Sequence, residues 1–174
     1  MQRQRFLILL LGAVLLTGCA SSKMSVTTNP QMPAQTVSRL AIAPGSGVLG
    51  EAIAVELFNS GITVVDANEA STIIGRAGLR EFELTSSQGY SVLREAGIEA
   101  VLAAKSVDAA DGTPESASVR ITSTSSGEVL AGITWQNGWG GQRGSIADRT
   151  MRKNLSDAAR EISGEIMKRI RGTR

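Results

Sequence analysis

Hydrophobic and polar positions along this chain follow two rhythms, one of period two and one near 3.6, and the switches between them predict the elements. Val37 to Ala43 is a short apolar run ended by Pro44 and reads as a buried strand. From Val48 to Ser60, Leu49, Ile53, Leu57 and Phe58 share one helical face, and Gly61 stops the helix. Ile62 to Asp66 is a second apolar strand. Asn68 is the expected cap of a second helix carrying Ile73 and Ile74, which Gly75 and Gly78 follow. Leu79 to Leu84 alternates and predicts a short strand, and Ser86 to Ala96 a third helix ended by Gly97.

The second half changes character. Ile98 to Val107 is a long apolar strand, and Asp111-Gly112 marks a hairpin turn, where glycine accepts the positive φ that tight turns need. Ser116 to Ser123 sets Ala117, Val119 and Ile121 against Ser118, Arg120 and Thr122, the alternation of a half-buried strand. After the turn at 125–127, Glu128 to Gln136 returns. Ile146 to Ile170 then predicts one long amphipathic helix through Met151, Leu155, Ala158, Ala159, Ile162, Ile166 and Ile170. Gly164 inside it is expected to mark close packing. The order βαβαβββα implies an α/β (α+β) domain: a mixed sheet flanked by helices and closed by the C-terminal one.

The N-terminus stands outside that pattern. Arg3 and Arg5 precede an apolar run, Phe6 to Leu16, too short for a stable membrane span. Leu16-Thr17-Gly18-Cys19 follows and resembles the lipobox of bacterial lipoproteins. The resemblance implies cleavage before Cys19 and a covalent lipid on its thiol, with residues 1–18 a signal peptide. Residues 20–36, polar with Pro30 and Pro33, then read as a flexible tether; fully extended, they reach about 60 Å. Ala20, rather than an aspartate, follows the cysteine, and by analogy with enterobacterial sorting this points to the periplasmic face of the outer membrane. Residues 37–174 form the single domain.

Removing the signal changes the electrostatics. The chain carries +2 overall, but losing Arg3 and Arg5 balances its 16 acidic residues, so no nucleic-acid partner is expected. Residues 143–174 hold 9 basic and 4 acidic side chains, leaving an acidic body with a basic end suited to steering a partner or a membrane surface. There is no histidine and one cysteine. Ser-His-Asp triads, Cys-His pairs, His-based zinc sites and internal disulfides are thereby excluded. No metal or cofactor is expected beyond the lipid on Cys19.

Three motifs carry candidate chemistry. Gly45-Ser46-Gly47-Val48-Leu49-Gly50 is a GxGxxG between strand and helix, with Asp66 ending the next strand. Such glycines let a pyrophosphate approach backbone N–H groups, and the acid holds a ribose hydroxyl. Pro44 and the later meander count against a dinucleotide fold, and a tight turn leading into the helix explains the glycines as well. Asp108 to Gly112 lacks the ligand spacing of a calcium loop and reads as a hairpin. The glycine-rich stretch 137–145 holds Trp139 and Arg143. With Trp135 these make a candidate partner-binding set, since Trp and Arg concentrate at binding hot spots; the competing reading has Trp139 covering the sheet.

The run RLAIAP, GITVVD, AGIEAVLAAKSV, SASVRITSTSSGEVLAGITW and the final helix, over roughly residues 37–171, resembles a group of envelope proteins. These are the periplasmic domains of curli-secretion (CsgG-like) lipoproteins, the N-terminal domain of TolB and the lipoprotein activators of peptidoglycan synthases. The resemblance implies a non-enzymatic interaction or assembly module with envelope protein partners, including homo-oligomerisation through helix or strand edges. The hairpins are too short and polar for a curli-type pore. The tether is also too short to reach an inner-membrane synthase. The alternative is an envelope enzyme or nucleotide-binding protein using the glycine loop with Asp66, Glu81 or Glu83.

Overall fold

The computed structural model describes residues 22–28, 35–138, 142 and 145–171, without the side chains of 149 and 150. It contains β1 (Lys23–Thr27), β2 (Arg39–Ile42), α1 (Gly47–Asn59), β3 (Thr63–Val65) and α2 (Ala67–Arg76). A 3-10 turn (Glu81–Thr85), α3 (Ser87–Glu95), β4 (Ala100–Asp108), β5 (Pro114–Ser123) and β6 (Val129–Gln136) follow, and α4 (Ile146–Met151) and α5 (Leu155–Ile170) close the chain. The strands make one mixed sheet in the order β1-β6-β5-β4-β2-β3.

The connections follow from the pattern. β2 is parallel to both β3 and β4, so the chain must cross back over the sheet each time, and helices do so. From β4 onward the pairing is antiparallel and short turns suffice. One face of the sheet is covered by α1 and α5: Leu40, Ile42, Leu102, Val119, Ile121, Ile133 and Trp135 meet Leu49, Ile53, Leu57, Ile162 and Ile166. Among the described residues, the opposite face is covered only at its β3-β2-β4 end. There Ala41, Val65 and Val101 pack on Ile74, Leu84, Leu93 and Ile98. The α/β (α+β) expectation holds, as does the closing C-terminal helix. No helix among the described residues is long and apolar enough to cross a membrane.

Five local expectations are corrected. Residues 23–27, read as tether, form an edge strand on β6, with Met24 and Val26 packed on the core and Lys23, Ser25 and Thr27 outward. Five residues with two modest apolar positions give a weak alternation signal. Residues 79–84 form no strand. The Arg80 backbone N–H donates to Glu83 Oε2 at 2.8 Å, closing a turn that buries Leu84 and exposes Phe82.

The cap of α2 is Asp66, whose Oδ1 accepts from the Glu69 backbone N–H at 2.8 Å, not Asn68. The long final helix is two helices. Arg152 takes an extended backbone, and Asn154 caps α5 by accepting from the Asp157 N–H at 2.9 Å. An asparagine side chain offers that N–H a partner that a continuous helix would supply from its own backbone. Gly164 is exposed, and a Cβ there would meet nothing within 4 Å, so packing does not require it.

Candidate interaction surfaces

The glycine turn is built for local structure. Gly45 and Gly47 sit at φ +77 and +62, a region costly for side chains, and so let the chain turn from β2 into α1. Ser46 points inward: its hydroxyl donates to the Ala43 carbonyl at 2.6 Å and accepts from the Ala104 N–H at 3.3 Å, tying the turn to β4. A Cβ on Gly50 would lie 2.4 Å from that of Ser46, so Gly50 permits the first turn of α1 to form. Asp66 lies at the carboxyl end of β3, beside β2, as the dinucleotide pattern requires, but its carboxylate caps α2. Glu83 is likewise held locally; hydrogen bonding from the Arg80 backbone lowers its pKa. No group of three or more His, Cys, Asp or Glu side chains suited to a metal ion occurs among the described residues.

Trp135 is a correction. Placed in the candidate partner-binding set, it is only 1% exposed and packs between the sheet and α5. Its indole Nε1 donates to Glu161 Oε2 at 2.8 Å. Glu161 also accepts from the Ser22 hydroxyl at 2.6 Å and pairs with Lys153. Burial disfavours the Glu161 charge, but the bonds from Lys153, Ser22 and Trp135 outweigh it and hold the carboxyl below its ordinary pKa. The Asn137 side chain completes the clasp: it donates to the carbonyls of Pro114 and Lys153 at 2.8 Å and accepts from the Lys153 N–H at 2.9 Å. Trp135 therefore fixes the start of β1, the end of β6 and the α4–α5 junction together. Cys19, Trp139 and Arg143 lie outside the described residues.

Two surfaces that no described element covers were not singled out from sequence. The first is the sheet face not covered by α1 and α5, over β1, β6, β5 and the second half of β4. Register places Ser25, Thr134, Ser118 and Lys105 in one row across it, flanked by the row Lys23, Gln136, Ser116, Val107 and the row Thr27, Gly132, Arg120, Ala103. The first two of these rows line a concavity of about 510 Å³. The rows hold Lys23, Lys105 and Arg120 and no acid, and none of the ion pairs among the described residues involves those cations.

The second surface is the outer side of α1. Its inner side buries Leu49, Ile53 and Leu57, yet Val48, Val55 and Phe58 are 71%, 59% and 68% exposed, so Phe58 does not share the buried face on which the sequence pattern placed it. These three fall on one helical stripe with Glu51. A surface helix normally presents polar residues there; one apolar on both sides ordinarily has a second contact. The signal was in the sequence, but the period of 3.6 reports one buried stripe and does not tell which of two apolar stripes faces in.

No protein-family model matches the chain, and no curated protein is significantly similar to it in sequence. Among solved structures it is similar to the PelC dodecamer from Paraburkholderia phytofirmans, at 16% identity and a TM-score of 0.48, over 88% of this chain and 100% of that one. It is similar to lipoprotein GNA1162 from Neisseria meningitidis at 14% identity and a TM-score of 0.46, over 75% and 97% of the two chains. The LpoB C-terminal domain from Escherichia coli aligns at 20% identity and a TM-score of 0.41, over 60% and 86%.

Proposed function

We propose that this chain is a lipid-anchored accessory protein on the periplasmic face of the outer membrane, which works by binding protein rather than by catalysis. The observation that carries the reading is α1, whose outer stripe of Val48, Val55 and Phe58 is exposed although its inner face already fills the core. Burying one such side chain contributes about 1.5–3 kcal/mol, enough that three together favour a partner strongly. The lipobox at Cys19 supports the location.

The edge strand sharpens the mechanism. Since β1 begins at Lys23, the anchor on Cys19 lies four residues from the sheet, a span of at most about 14 Å. The domain is thus held with the start of β1 toward the bilayer and works on partners beside it, not at a distance.

The test is a photo-reactive amino acid placed at Val55 in growing cells, with Glu128 on the β5–β6 turn as control position. Capture of protein from position 55 and not from 128 is the expected result. No capture at 55, with the protein folded and in the membrane, contradicts the reading.

A further inference from the structure

We infer that the groove between α3 and the β5–β6 turn is a binding site for an acidic saccharide, a polyhydroxylated ring carrying one carboxylate. The groove lies on the opposite side of the sheet from α1, so it goes beyond the protein-binding reading and does not rest on it.

α3 builds one wall. Its inner side buries Gly89 and Leu93. Ser87, Tyr90, Ser91 and Arg94 recur at the three- and four-residue spacing of a helix and so share another stripe, which lines the groove. The other wall is the turn after β5, with Thr124, Ser125 and Ser126. Gly127 takes φ +72, as glycine readily does, and its backbone passes beside the Tyr90 ring: a Cβ there would stand 3.7 Å from it. The space between the walls is about 550 Å³, within the roughly 300–1,000 Å³ of small-molecule sites.

The lining sets the ligand class. Six serine and threonine hydroxyls line the groove with the Tyr90 phenol, and among the described residues Arg94 is its one charged side chain. A hydroxyl both donates and accepts, so walls of hydroxyls match a ligand whose own hydroxyls do the same. An apolar ligand would bury those groups without partners, a cost that a polyol avoids. The half-buried Tyr90 ring offers an apolar surface to the C–H side of a sugar ring. Part of the lining is also fixed beforehand. Thr124 Oγ1 donates to the Ile98 carbonyl at 2.7 Å and keeps its lone pairs for a ligand, while the Ser125 and Ser123 hydroxyls are bonded at 2.8 Å. Side chains already held lose little freedom when a ligand arrives.

Arg94 supplies the preference for an acid. Its guanidinium donates to the Ser91 hydroxyl at 3.3 Å and enters none of the ion pairs among the described residues. The planar fork of a guanidinium pairs with a carboxylate through two parallel bonds. Glu95 and Glu128 adjoin the walls in sequence without lining the groove, and their charges oppose a ligand with more than one negative charge. A single carboxylate suits that balance better than a doubly charged phosphate.

The chain has one tyrosine, and it lines the groove, so ring-labelled tyrosine gives a single magnetic-resonance signal that reports on the site. Full-length protein in detergent is titrated with glucuronate, glucose and acetate, which separate the acidic sugar from its hydroxyls alone and from its charge alone. Glucuronate is expected to shift the Tyr90 signal saturably, with glucose and acetate each weaker by about 10-fold or more. Arg94→Gln, at an exposed position, should leave the melting temperature unchanged and bring glucuronate down to the level of glucose. Acetate equal to glucuronate would mean a general anion effect, glucose equal to it would remove the carboxylate from the site, and no shift with any of the three would leave the groove to water. Each of these overturns the proposal, as does an Arg94→Gln protein that still prefers glucuronate. None of them bears on capture at Val55, which tests the other side of the sheet.

Discussion

The indole of Trp135 and the carboxylate of Glu161, 26 residues apart in sequence, meet in a 2.8 Å hydrogen bond beneath the start of β1. Because Ser22 and Lys153 converge on the same carboxylate, this pair holds the sheet edge, the closing helix and Ser22, the residue before β1, in one place.

Trp135→Ala removes a buried ring and a donor and is expected to cost about 3–5 kcal/mol in equilibrium urea unfolding. Trp135→Phe keeps most of the volume and should cost about 1–2 kcal/mol. A Trp135→Ala protein within 1 kcal/mol of the parent, but defective in binding partners, would restore the surface role that burial denies it.

Acid should loosen the clasp. The folded pKa of Glu161 lies below its ordinary 4.5, so the stability it contributes is present above the unfolded value and is lost as pH falls through the folded one. Melting temperature should decline below about pH 4.5, and less steeply in Glu161→Gln, which starts from a lower value at neutral pH. Glu99 and Glu165 are lowered too, so some decline persists in that variant. Identical slopes for parent and variant would remove Glu161 from the account.

Two helical glycines should respond oppositely to alanine. A Cβ at Gly89 would lie 2.2 Å from the Glu83 carbonyl oxygen and 2.5 Å from that of Leu84, both backbone atoms that cannot swing aside. Gly89→Ala is expected to lower stability by about 1–3 kcal/mol. Gly164→Ala meets nothing within 4 Å and should raise it by about 0.5–1 kcal/mol through helix propensity. Thermal unfolding of the two variants side by side checks both signs.

These contrasts show what the chain's pattern carried and what it did not. The strands from Ile98 to Gln136 were legible because alternation such as Ala117, Val119, Ile121 against Ser118, Arg120, Thr122 has one period and one buried face. The break at residues 152–154 was hidden because Leu155, Ala158 and Ile162 continue the apolar spacing of Met151. Only the competition of the Asn154 side chain for a backbone N–H interrupts it. Trp135 was read as part of a partner-binding set because its partner, Glu161, lies on another element; a tryptophan two residues before a glycine-rich stretch carries no local sign of burial. The open sheet face was unreadable because covering is a property of layers, and no residue on β5 records whether a helix crosses above it.

The edge strand offers its own check. Backbone amides of residues 23–27 that are bonded to β6 should resist hydrogen exchange on the timescale of β6 itself. Exchange at coil rates throughout that segment would return it to the tether and lengthen the domain's reach.

Compartment and reach both follow from the lipid proposed on Cys19. The direct measurement is the intact mass of the protein extracted from membranes. A polypeptide beginning at Cys19 and heavier by a diacylglyceryl group and an amide-linked acyl chain is the expected result. An unmodified chain, or one cut at another residue, would contradict it.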